Sequence, residues 1–232
     1  MKLFFAGFLF YFSLVSNAKT SEGNNVLNRA IVLNDSSAVE QTLHLRIDVN
    51  SPDPQGNYAI HLAAGGKIKD KILEMLLKKG ANPNIQDYRK QTPLQIAIRA
   101  HSAAKVKMLL NAGADPRILN YMGDNALVIA VADRGNDPAE ITRLILDSKK
   151  INVNETDHTG YTPLMLATLR MSPSLETVKI LLKQGADKSI RIFDKYTALD
   201  FAEGMYDLFK SQGVQRNHEL KALAEIKNLL NQ

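Results

Sequence analysis

Residues 90–100 read KQTPLQIAIRA, and their Thr-Pro-Leu trio returns in GYTPLMLATLR at 160–170. The surroundings return with it. Aligned on Thr92, similar segments begin at Tyr58, Asn125, Thr162 and Thr197, at intervals of 34, 33, 37 and 35 residues. Five places after each start stands an alanine (Ala63, Ala97, Ala130, Ala167, Ala202), and two places after it an apolar residue (Ile60, Leu94, Leu127, Leu164, Leu199). A second apolar patch recurs as EMLLKKGANPN (74–84), KMLLNAGADPR (107–117) and KILLKQGADKS (179–189). Self-similarity at this period is the signature of a solenoid, in which each unit buries its apolar face only against its neighbours.

Each recurring residue has a physical task. A threonine at a helix start accepts a hydrogen bond from a first-turn N–H, and proline fits the next position because its missing N–H has no helical partner there. Thr92-Pro93 and Thr162-Pro163 therefore open a first helix, A, in their units. Leu94 and Ala97, three apart, share one helix face, as do Leu164 and Ala167, and the small alanine lets another helix come close. In the second helix, B, Val106, Leu109 and Leu110 form an i, i+3, i+4 stripe. Gly113, and likewise Gly185, supplies the left-handed residue that ends it.

The pattern D-x-x-G-x-T-P-L-H-x-A followed by L-L-x-x-G-A-D/N resembles the ankyrin repeat. It is carried by DPQGNYAIHLA (53–63), DYRKQTPLQIA (87–97), NYMGDNALVIA (120–130), DHTGYTPLMLA (157–167) and IFDKYTALDFA (192–202). The resemblance implies an all-α solenoid of helix-turn-helix units with short β-hairpin fingers. Six units are expected: 25–52, 53–86, 87–119, 120–156, 157–191 and 192–232, the first with Ala30 at the alanine position and the last including a C-terminal cap. It also implies protein–protein binding through a concave groove, with scaffold positions fixed and groove positions choosing the partner.

Departures from the pattern are informative. The motif histidine is present only as His61, and Gln95, Val128, Met165 and Asp200 stand in its place elsewhere. The turn glycine is a lysine at 90 and 195. DRGNDPAE (133–140) widens one A-to-B turn, and DSKKINVN (147–154) replaces the usual Gly-Ala ending, so both are expected as surface loops. In the last unit the sequence predicts a helix A lengthened to about residue 210, a break at Gly213, and a terminal helix with Ile226, Leu229 and Leu230 facing inward to close the stack.

The first eighteen residues are of different material. Met-Lys, the 13-residue apolar run LFFAGFLFYFSLV and a small-x-small site at Ser16 and Ala18 read as a secretory signal peptide over 1–18, followed by a short linker at 19–24. The run is shorter than the ~20 residues a spanning helix needs. Cleavage after Ala18 and a periplasmic or secreted protein that does not span the membrane are expected. No cysteine follows Ala18 to carry a lipid, and none occurs anywhere, so packing alone must hold an exported chain together. The formal net charge of +5 is dispersed over 232 residues, which does not point to nucleic acid.

No constellation for catalysis is visible. His44, His61, His101, His158 and His218 are never paired at helical spacing, so neither a metal site nor a cofactor site is expected. There is no G-x-S-x-G elbow, and GANPN and GADPR are helix ends without the Gly-Lys-Ser/Thr of a phosphate loop. Asp53 and Asp87 suit turns in which the side chain bonds its own backbone. An enzyme would need a site in 133–140 or 204–216, and neither holds a nucleophile–base pair. Lysines gather once, as Lys67, Lys69, Lys71, Lys78 and Lys79 around Asp70 and Glu74. That is a solvated helix-B exterior or a weak site for anionic lipid or polysaccharide.

The aromatics mark the other candidate surface. Of nine that follow residue 18, five fall in the fingers: Tyr88, Tyr121 and Phe193 at the second position, Tyr161 and Tyr196 at the fifth. Units stacked about 10 Å apart place the second-position residues in one ladder. Exposed tyrosine brings contact area with few rotamers to freeze, a property of interface hot spots. Tyr88, Arg89, Tyr121, Met122, His158 and Phe193 are therefore the partner-contact candidates, on a monomer that binds a protein.

Overall fold

The computed structural model describes residues 20–232 except 46, 134, 136 and 212–215. The expected signal segment and the break at Gly213 lie outside the described residues. Twelve helices among them fall into six A/B pairs: α1 (Thr20–Val32) with α2 (Ser36–Leu43), α3 (Ala59–Ala64) with α4 (Asp70–Lys78), α5 (Pro93–Arg99) with α6 (Ala103–Asn111), α7 (Ala126–Ala132) with α8 (Ala139–Asp147), α9 (Pro163–Thr168) with α10 (Leu175–Lys183), and α11 (Ala198–Ser211) with α12 (Asn217–Asn231). Each A helix packs on the A helices before and after it, and each B helix does the same, so the stack is a two-layered solenoid. Helix α1 takes in residues 20–24, which the sequence reading gave to a linker. Its apolar stripe, with Leu27 and Ile31 fully buried and Ala30 nearly so, gives those polar residues a helix to extend.

Local chemistry sets the helix starts. Thr92 Oγ1 accepts from the Gln95 N–H while Gln95 Oε1 accepts from the Thr92 N–H, a reciprocal box with Pro93 as first helical residue. Thr162 caps α9 through the Met165 N–H, and Asn125 does the same for α7 through Val128. Thr197 and Asp200 form a second reciprocal pair at α11. Among the B helices, Asp35, Ser102 and Ser174 are the side-chain caps. Gly80, Gly113 and Gly185 end α4, α6 and α10 at φ 90, 93 and 86, and Lys149 takes the left-handed position after α8 at φ 55.

The alanines at the fifth position are all at the centre of the stack, none more than 3% exposed. Leu94, Val106, Leu109 and Leu164 are buried beside them, with Leu110 on the margin. At the C-terminal end α11 runs on to Ser211, and α12 folds over it with Ile226 and Leu230 buried. Met205, Phe209 and Leu223 form a small second core there.

The expected β-hairpin fingers are tight turns instead. No strand occurs among the described residues, only an isolated bridge between Ile192 and Tyr196. In the second unit the Asp53 N–H donates to Asn57 O, but the returning N–H of Asn57 goes to the Asp53 carboxylate. The side chain has taken the place of the second ladder bond, so no strand pair can form.

Candidate functional site

The fingers are built by one device. Asp53 Oδ1 accepts from Gln55 and Asn57, Asp87 Oδ1 from Arg89 and Gln91, Asn120 Oδ1 from Met122 and Asp124, and Asp157 Oδ1 from Thr159 and Tyr161, all within 2.8–3.0 Å. Burial pushes the Asp53 carboxyl up, and hydrogen bonds from Asn28, Asn57 and Gln55 outweigh it, so the group stays below the usual carboxylate range. The fourth finger position is left-handed in four units, as Gly56, Lys90, Gly123 and Gly160. In the sixth unit Ile192 has no oxygen to offer. Its backbone pairs both ways with Tyr196, and the left-handed residues become Phe193 and Asp194.

Second-position side chains stand outward both on fingers this device builds and on the sixth, which lacks it. Tyr88 is 82% exposed, Phe193 76% and Tyr121 65%, and Met122 is exposed beside Tyr121. The Arg89 guanidinium lies 5.3 Å from the centre of the Tyr88 ring. His158 is exposed as well, and its Nδ1 sits 3.2 Å from Asp124 Oδ1, a contact between the fourth and fifth fingers. Tyr161 packs on Phe201 of the next unit, ring centres 5.4 Å apart, and Tyr196 packs on the same ring from within its own unit at 6.0 Å.

Two features of the surface escaped the sequence reading. Leu119, leading into the fourth finger, is half exposed. Leu62, Ile96, Leu166 and Phe201, four places after their helix starts, line the A-helix face half-buried. The period carries that row, but at each site the residue reads as ordinary core.

The lysine cluster is exposed along and before α4, with Lys78 paired to Glu74 at 2.7 Å and Lys69 Nζ donating to Asn34 O. In the widened turn a cleft of about 180 Å³ is lined by Ile98, His101, Ala130, Asp133, Asp137, Glu140 and Ile141 among others. No serine or threonine lines it among the described residues, and there no group of three or more His, Asp and Glu is placed to hold a metal ion. No described helix is long and apolar enough to cross a membrane.

A family model described as ankyrin repeats (3 copies) matches residues 27–120 and 104–192. The chain belongs to the ankyrin repeat family, whose members are protein–protein interaction modules and generally not enzymes. It is 31% identical over 173 residues to the putative ankyrin repeat protein YahD of Escherichia coli K12, across 72% of this chain and 83% of that one. Over 81 residues it is 35% identical to human Neurogenic locus notch homolog protein 1, of which that is 3%. Among solved structures, EF0377, an ankyrin repeat protein, superposes with TM-score 0.72 at 24% identity, over 90% of this chain and 98% of that one. A chain in the complex of the predatory endopeptidase Bd0816 from Bdellovibrio bacteriovorus with the immunity protein Bd3460 superposes with TM-score 0.67 at 25% identity, over 86% and 97%.

Proposed function

We propose that this protein is an exported, monomeric, non-enzymatic binding module, whose protein partner lies along the finger edge and the A-helix face. One observation carries the reading. Ten large apolar side chains are exposed among the described residues, and six of them (Tyr88, Leu119, Tyr121, Met122, Phe193 and Tyr196) lie on or lead into fingers. Such a row on a rigid scaffold is what a protein interface uses for its central contacts. Export rests on the leading apolar segment, and periplasmic fractionation with N-terminal sequencing of the mature protein checks it. The likeness to a chain in an endopeptidase–immunity protein complex supports a narrower version, in which the partner is a hydrolase of the cell envelope held inactive.

The test is capture from periplasmic and culture-medium fractions by tagged mature protein, wild type against Tyr88→Ala/Tyr121→Ala, read by mass spectrometry. A protein held by wild type and lost from the double variant supports the reading. Equal capture by both removes the finger edge from it. A second reading, binding of anionic lipid or polysaccharide through the exposed lysines at 67–79, is separated by salt, because such binding collapses as ionic strength rises.

A further inference from the structure

The fingers are not equivalent. Those of the third and fourth units are joined main chain to main chain, the Tyr121 N–H donating to Arg89 O at 3.2 Å, the one such link between fingers among the described residues. Gln86 adds a second tie, its Nε2 donating to Lys90 O at 2.7 Å and to Leu119 O at 3.0 Å. The result is a fixed platform bearing four exposed apolar side chains, Tyr88, Leu119, Tyr121 and Met122.

Two cations stand on this platform. Arg89 and Lys90 are exposed, and no carboxylate of the described residues reaches ion-pair distance of either. The nearest acid in sequence, Asp87, is turned into its own finger to accept from Arg89 and Gln91. Asp124, on the next finger, faces His158. Lys90 holds the left-handed position that three other fingers give to glycine, so the chain carries a steric cost there and presents a long cationic side chain. Apolar anchors next to unpaired cations are complementary to an apolar residue flanked by carboxylates.

We propose that the joined third and fourth fingers anchor an acidic loop of the partner protein. An apolar side chain of that loop packs on Tyr88, Leu119, Tyr121 and Met122, and neighbouring Asp or Glu carboxylates meet Arg89 and Lys90. This rests on the protein-binding reading above and assigns the chemistry of the partner at one place.

The test pans a phage-displayed library of short random peptides on the immobilised full chain, with Arg89→Glu/Lys90→Glu and Tyr88→Ala/Tyr121→Ala variants of unchanged melting temperature as counter-screens. Expected is a selected pool enriched in Asp or Glu beside an aromatic or aliphatic residue. Its peptides should bind either double variant about tenfold or more weakly. A pool without acidic enrichment, an acidic pool that binds the Arg89→Glu/Lys90→Glu variant equally well, or no selection at all overturns the proposal. A pool without acidic bias that still needs Tyr88 and Tyr121 does so while leaving the protein-binding reading intact. Phosphatidylglycerol vesicles are the second probe. Binding to them that is lost on charge reversal but kept in Tyr88→Ala/Tyr121→Ala overturns it in favour of an anionic surface.

Discussion

The third residue of each A helix decides how one unit grips the next. Asn28, at the same register in α1, donates to Asp53 Oδ2 and Asn57 O. His61 Nε2 bonds Gln91 O at 2.9 Å, and Gln95 Nε2 donates to Ile118 O at 2.7 Å. Gln95 thus does the work of the motif histidine, which the sequence showed only as a missing imidazole. Further on the position is apolar and buried, as Val128 in α7 and Met165 in α9. Burial pushes the His61 ring below its ordinary 6.5, against the opposing effects of Gln91 O, Asp87 and Ile85 O. The unfolded chain then binds more protons than the folded one between the depressed value and 6.5. Stability from His61 is complete above 6.5 and is lost as pH falls through the folded value. His61→Gln should leave the melting temperature at about pH 7.5 nearly unchanged and shrink the loss measured at about pH 5. An equal loss in both proteins would remove His61 as its cause. A residue the sequence hid is Lys105, which reads as a helix-surface lysine. It is 1% exposed, and its Nζ donates to Gly65 O in the turn between α3 and α4.

At the scale of the element, the helix pairs were legible because caps, apolar stripes and glycine stops all act within a few residues. Thr92-Pro93 and Gly113 are visible without any partner. The fingers were legible in place, and so was the aspartate side chain bonding its own backbone; that this bond would displace the ladder bond and leave no strand pair was not, since it depends on three-dimensional reach. The outward aspect of Tyr88 and Tyr121 followed from register, but the bond joining their fingers did not, being a contact between residues 32 apart on different units. The same division gives a prediction. Leu109 is fully buried, so Leu109→Ala should cost ~2–5 kcal/mol in denaturant unfolding. Tyr121→Ala, at an exposed site, should shift stability by less than about 0.5 kcal/mol. Comparable losses in the two variants would place Tyr121 in the scaffold.

As a whole molecule the solenoid must close its two ends, and the C-terminal end does so with α12. Leu223, Ile226 and Leu230 cover the last core, and Lys227 sits 4.7 Å over the Tyr206 ring. The sequence showed this helix as a late apolar stripe out of period. Ending the chain after Ser211 should expose Met205 and Phe209, lower the melting temperature and raise binding of an apolar dye. An unchanged melt would show that the cap is dispensable. Between the ends, two faces compete for the functional role: the finger edge with its exposed aromatics and the α4 exterior with its lysines. The measurement that separates them most directly is the affinity of the captured partner for wild type, for Tyr88→Ala/Tyr121→Ala, and for a protein with Lys67, Lys69, Lys71, Lys78 and Lys79 changed to Gln. The finger-edge account expects the tyrosine variant to lose about tenfold or more while the lysine variant keeps wild-type affinity. Full affinity in the tyrosine variant together with loss in the lysine variant would contradict it.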